Sequence, residues 1–178
     1  MLKSTIERYG AVPVTIHWLT AILILALLGS GFQAGDAMDS AVKAAFLRFH
    51  IPAAIIILLL TLFRVVWWWF LDRKPASVEG APLWQDRLAR GVHIAFYIVI
   101  FGMVASGIGM MVLSGAGPII FGQGGELPDF LRYPPRIPHG IGAILLIALL
   151  VAHVGAAFYH HFIRRDGLLW RMWYRRKS

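Results

Sequence analysis

The chain has 178 residues, 58% of them hydrophobic, with a mean hydropathy of +0.69 and a formal charge of +8. That is too apolar for an ordinary soluble domain, and it fits a small integral membrane protein with one domain over residues 1–178. Cysteine is absent, which excludes disulfides and thiolate metal sites. The basic residues flank apolar runs instead of forming a stripe, so the charge reads as a topology signal and no nucleic-acid partner is expected.

Four apolar runs follow in chain order, roughly 12–32, 47–71, 91–113 and 139–162. Each is long enough to cross a hydrocarbon core as a helix. The expected fold class is therefore all-α, a bundle of four transmembrane helices surrounded by lipid. The first run exceeds the apolar core of a typical signal peptide and has no clear small-x-small cleavage site after it, so it reads as retained. The N-terminus, the second connection and the C-terminal tail carry thirteen of the seventeen Lys and Arg residues. Both termini are accordingly expected to be cytoplasmic. The other four bases, Lys43, Arg48, Arg132 and Arg136, are balanced by Asp36, Asp39, Glu126 and Asp129. The second connection, residues 72–87, is polar with prolines and reads as a cytoplasmic loop. The third, residues 114–138, is the longest, rich in Gly and Pro, and is expected to fold over the outer mouth of the bundle. Trp67, Trp68, Trp69, Trp84, Trp170 and Trp173 all fall on the cytoplasmic side and read as interfacial anchors.

Histidines mark these runs. His139 and His153 stand fourteen residues apart in the fourth, close to four helical turns, so both point from one face. At about 1.5 Å per residue they lie roughly 21 Å apart along the axis, one toward each side of a core about 30 Å thick. His17 lies near the start of the first run and His50 near the start of the second. With alternating helix direction, His50 falls at the depth of His139 and His17 at the depth of His153. Each couple lies on two different helices, as two axial ligands of one haem iron require. Polar groups inside an apolar span are costly unless satisfied, and four at two matched depths point to two haems. Without cysteine, covalent attachment through C-x-x-C-H is excluded, so both would be b-type.

His93, at the cytoplasmic start of the third run, has three open readings: a replacement ligand, a propionate partner, or a contact for quinone. His160 follows His153 by seven residues and has two: interfacial anchoring with His161, or proton delivery and quinone contact. Arg64 lies fourteen residues after His50, on the same helix face, and has two readings: a snorkelling base at the membrane edge, or a propionate partner for the inner haem. Arg48, Arg132 and Arg136 are candidates for the outer one. Gly102, Ser106, Gly107 and Gly109 permit close helix packing or leave room for a flat ring.

TIHW at 15–18, the histidine opening the second helix, GVHIAFY at 91–97, the His139–His153 spacing and the ending HHFIRRDGLLWRM at 160–172 resemble the bacterial cytochrome b561 family over nearly the whole chain. The resemblance implies a four-helix protein of the inner membrane with two b haems ligated by His17, His50, His139 and His153. One branch of that family oxidises superoxide at the outer side and reduces ubiquinone. Other members are cytochrome b subunits that relay electrons between a partner such as a hydrogenase or formate dehydrogenase and the quinone pool. On the first reading Arg132 and Arg136 would attract the superoxide anion. Family members often carry an acidic residue directly after the histidine that opens the fourth helix, and this chain has Gly140 there.

Overall fold

The computed structural model describes residues 1–76 and 82–174. Among these residues there are helices and connections and no strand. The four long helices are α1 (Ala11–Asp36), α2 (Ser40–Val66), α3 (Leu83–Ser114) and α4 (Arg136–Phe158). Two of them end in a wider π-helical turn, α2 at Trp67–Leu71 and α4 at Tyr159–Arg164. All four are long and apolar enough to cross a membrane.

The helix ends follow local chemistry more than hydropathy. Pro13 lies in the first turn of α1, where a missing N–H costs nothing. Asp39 accepts from the Val42 N–H at 2.9 Å and starts α2 seven residues before its apolar run. α3 begins at Leu83, directly after Pro82. The end of the expected 72–87 loop, from Leu83 to Arg87, is thus helical, because nothing in WQDRLAR breaks a helix. Residues 77–81 of that loop lie outside the described residues. Pro52 stands inside α2, two residues after His50, and releases the Arg48 carbonyl from the helix ladder.

The chain forms two compact units, and each helix contributes one end to each. Met1–Thr20, Leu60–Tyr97 and Ile147–Ser178 form the first. It gathers the start of α1, the end of α2, the start of α3 and the end of α4. Ala21–Leu59 and Ile98–Leu146 form the second, with the opposite helix ends. Helix direction alternates within each unit, as a chain with short connections requires.

In the first unit the N-terminal segment is strapped down. Ser4 donates through its N–H and Oγ to the Asp72 carboxylate, and Arg171 reaches the carbonyls of Ile6, Glu7 and Ala76. Backbone from Leu2 and Lys3 passes so close to Gly10 that a Cβ there would lie 2.3 Å from the Leu2 oxygen. Trp18 donates its indole N–H to the Met172 carbonyl at 2.9 Å, tying α1 to the short 3₁₀ turn Leu169–Met172. In the second unit the 114–138 connection closes onto the helices. Ile120 and Ala116 are fully buried, the Arg48 Nε–H donates to the Ile120 carbonyl, and the Leu127 N–H donates to Ser40 Oγ. Large apolar side chains such as Ile22, Leu25, Ile98, Val112, Ile144 and Val151 face outward. In water that would be untenable, and in hydrocarbon it is the expected lipid-facing surface.

Candidate haem-binding histidine pairs

In the first unit, His17 of α1 and His153 of α4 face each other with ring centres 6.2 Å apart. In the second unit, His50 of α2 and His139 of α4 repeat that distance, 6.2 Å, at nearly the same tilt of 59° against 58°. A metal–imidazole bond of about 2.0–2.1 Å plus about 1.1 Å from nitrogen to ring centre puts two in-line axial ligands roughly 6.2–6.4 Å apart. Either pair would therefore suit an iron held between its two imidazoles. His93 is placed differently. Its ring centre lies 5.5 Å from that of His153 in an edge-on arrangement, while its Nδ1–H donates to the Ala89 carbonyl at 2.7 Å and leaves Nε2 unprotonated. Its ring packs beside His153 together with Phe96.

The His50–His139 pair is braced from behind. Ser30 Oγ donates to the Leu27 carbonyl (3.2 Å) and lies 3.0 Å from His50 Nδ1. Ser106 Oγ donates to the Met103 carbonyl (2.9 Å) and lies 3.0 Å from His139 Nδ1. His139 Nδ1 is also 3.1 Å from the Met103 carbonyl itself. A carbonyl only accepts, so His139 carries its proton on Nδ1 and keeps a lone pair on Nε2. The residue after each serine is glycine. A Cβ at Gly31 would lie 3.2 Å from His50 Cε1, and one at Gly107 3.5 Å from His139 Cε1. Gly109 of the same stretch packs on Pro135.

The His17–His153 pair has different neighbours. The Arg64 charge acts on His17, His93 and His153 alike. Arg64 Nε and Thr20 Oγ1 are buried without a hydrogen-bond partner among the described residues. Buried polar atoms of this kind cost free energy unless something satisfies them, and an anionic group within reach of both would do so.

Further along α4, His160 lies in the π-helical turn, whose wider pitch shifts it from strict alignment with His153. Its Nδ1–H meets the Asp166 carboxylate, which Arg164 also approaches at 3.9 Å. Burial would raise the Asp166 pKa, but hydrogen bonds from His160 and the Leu168 N–H, with the charges of His160 and Arg164, hold it below the ordinary value of 3.8. His161 stacks edge-on with Phe162 and Trp170, as an interfacial anchor would. Arg132 is exposed and paired with Asp129 at 3.4 Å. The Arg136 guanidinium folds back over Gly140 on its own helix.

Among the described residues no group of three or more His, Asp or Glu side chains gathers to hold a bare metal ion. Paired imidazoles instead suit an iron whose other four ligands come from a porphyrin. The fold and the two pairs thus define a membrane protein equipped for b haem. The sequence matches the family described as Prokaryotic cytochrome b561 over residues 8–175. The chain belongs to that family, whose members are membrane b-type cytochromes of electron transfer, and it is a multi-pass protein of the bacterial inner membrane. It is 26% identical to Cytochrome b561 homolog 1 of Escherichia coli (strain K12), over 96% of this chain and 99% of that protein.

Proposed function

We propose that the chain holds two b haems, one between His17 and His153 and one between His50 and His139, and carries electrons across the membrane. The single observation that supports this most strongly is the repeated 6.2 Å separation of the two histidine pairs. When bound, haem b supplies reversible one-electron exchange. The chain's own residues hold and bias it. His17 and His153 offer imidazoles from opposite sides, and the otherwise orphaned Arg64 Nε and Thr20 Oγ1 suit a propionate. His93, whose ring lies edge-on to His153 at 5.5 Å, serves as a neighbour of this site and not as a ligand. On the charge asymmetry of the connections, this end of the bundle is cytoplasmic.

The leading reaction is superoxide oxidation coupled to ubiquinone reduction. Two superoxide anions each lose one electron and leave as dioxygen, and one ubiquinone takes both electrons and two protons to become ubiquinol. Arg132 and Arg136 lie near the outer pair in sequence and would draw in the anion. His160, hydrogen-bonded to Asp166, is placed to pass protons from the cytoplasmic surface to quinone. A second reading, relay from a partner redox protein to quinone, draws support from the ion pair of Arg132 with Asp129, which dilutes the attraction for a free anion.

The deciding experiment is haem quantification with reduced-minus-oxidised spectra on wild type and on each His→Ala variant, followed by superoxide consumption with ubiquinone present. Two haems per chain, with one lost on replacing any of His17, His50, His139 or His153, supports the ligand assignment. One haem per chain, or loss on His93→Ala with retention on His17→Ala, overturns it. Inert purified protein that becomes active only with a copurified partner transfers the function to the relay reading.

A further inference from the structure

We infer that Ser30 and Ser106 are positioning residues that make the haem held by His50 and His139 the lower-potential one of the two. This rests on the two-haem reading above.

The two serines form a repeated device. Each sits on the helix preceding a histidine helix, α1 before α2 and α3 before α4. Each spends its only hydroxyl proton on the carbonyl three residues back, Leu27 for Ser30 and Met103 for Ser106. Each is followed by a glycine that lets the imidazole approach the helix backbone. A serine whose proton is so committed faces Nδ1 with lone pairs alone. His50 is thereby held in the Nδ1–H tautomer with Nε2 free for iron, and His139 is held in it by Ser106 together with the Met103 carbonyl. Polarising Nδ1–H toward an acceptor raises the basicity of Nε2, and a more basic axial ligand stabilises the oxidised iron.

The His17–His153 pair carries no such brace. Among the described residues neither ring nitrogen of His17 or His153 has a hydrogen-bond partner. Each pair has an arginine charge acting on it, Arg64 on His17 and His153 and Arg136 on His139, so it is the hydrogen bonding that sets the two pairs apart. The bracing lowers the potential at His50–His139 relative to His17–His153. The scaffold thus makes electron flow downhill from the first of these pairs to the second.

The test is a spectroelectrochemical titration of the purified holoprotein and of Ser30→Ala, Ser106→Ala and the double variant, with haem counted in each. Wild type is expected to titrate as two components. Ser30→Ala should move the lower midpoint upward by up to about tenfold in the reduction equilibrium, 59 mV for one electron, and leave the upper midpoint in place. Ser106→Ala should move it less, because the Met103 carbonyl still accepts from His139 Nδ1. Ser30→Thr, which keeps the hydroxyl, should restore the wild-type value. If an alanine variant sheds haem, Ser30→Cys, a far weaker hydrogen-bond partner, carries the same upward shift. Full haem content with an unmoved lower midpoint, or movement of the upper midpoint instead, overturns the inference. A wild-type protein with one haem and one component overturns the two-haem reading itself, which separates that failure from this one.

Discussion

At the scale of single residues, the ligand assignment turns on less than one ångström. The 6.2 Å separations suit one iron between two imidazoles, whereas 5.5 Å between His93 and His153 is too short. His93→Ala is therefore expected to retain two haems per chain by pyridine haemochrome assay, and His17→Ala to retain one. The glycines behind the other pair make a graded prediction. Alanine in a helix gains roughly 1 kcal/mol over glycine. At Gly107 a Cβ meets His139 at an ordinary 3.5 Å, so Gly107→Ala should be neutral or mildly stabilising. At Gly31 the contact tightens to 3.2 Å, and pressing on the ring should cancel the gain and disturb the haem spectrum. The four paired histidines were legible in the sequence because spacing and helix direction alone set their depth. The serine brace was not, although the Ser-Gly steps at 30–31 and 106–107 are visible side by side. Only folding shows that each Ser-Gly step faces a histidine twenty or thirty-three positions later.

At the scale of elements, hydropathy located all four helices but cut them short. It measures residence in hydrocarbon, while a helix runs on until a cap or proline stops it. Hence α2 starts at Ser40 and α3 at Leu83. Nor could periodicity reveal the strap that fastens the N-terminal segment, since its bonds join residues up to 165 positions apart. Arg171 holds three backbone carbonyls at once. Arg171→Ala should cost about 1–3 kcal/mol locally and speed amide exchange over residues 1–10, with haem content unchanged. Asp72 anchors the other side. Burial would raise its pKa, but hydrogen bonds from Ser4, Trp67 and the Arg73 N–H hold it below 3.8. A carboxyl depressed on folding stabilises fully above its unfolded pKa and loses that contribution as pH falls through the folded value. The strap should therefore be intact above about pH 4 and loosen below it. Asp72→Asn, which cannot ionise, should show weaker protection at neutral pH and no such acid transition.

At the scale of the whole molecule, the charge asymmetry and the helical topology jointly predict orientation, and the absence of cysteine makes that easy to check. A single Glu126→Cys should react with an impermeant maleimide on intact cells stripped of outer membrane, and Arg87→Cys only after the inner membrane is opened. With that frame fixed, the two functional readings separate on electrostatics. Superoxide is a small anion, so its capture should follow the field at the outer connection, and steering can change association rates by roughly 10–10³ at low ionic strength. The local charges are few. Arg132 is exposed but paired with Asp129, while Arg136 lies over Gly140, where the absence of a side chain leaves its charge uncancelled by a neighbour at that position. Asp129→Asn should therefore raise the superoxide rate at low salt by freeing Arg132. Gly140→Asp, which sets a carboxylate beside the guanidinium, should lower it, and Arg136→Ala should lower it more than Arg132→Ala. All four effects should shrink together by 0.5 M salt, where the Debye length falls to about 4 Å. Rates with superoxide that ignore all four substitutions would remove the arginines from the reaction, and with them the main argument for a free anion over a docked partner as the electron donor.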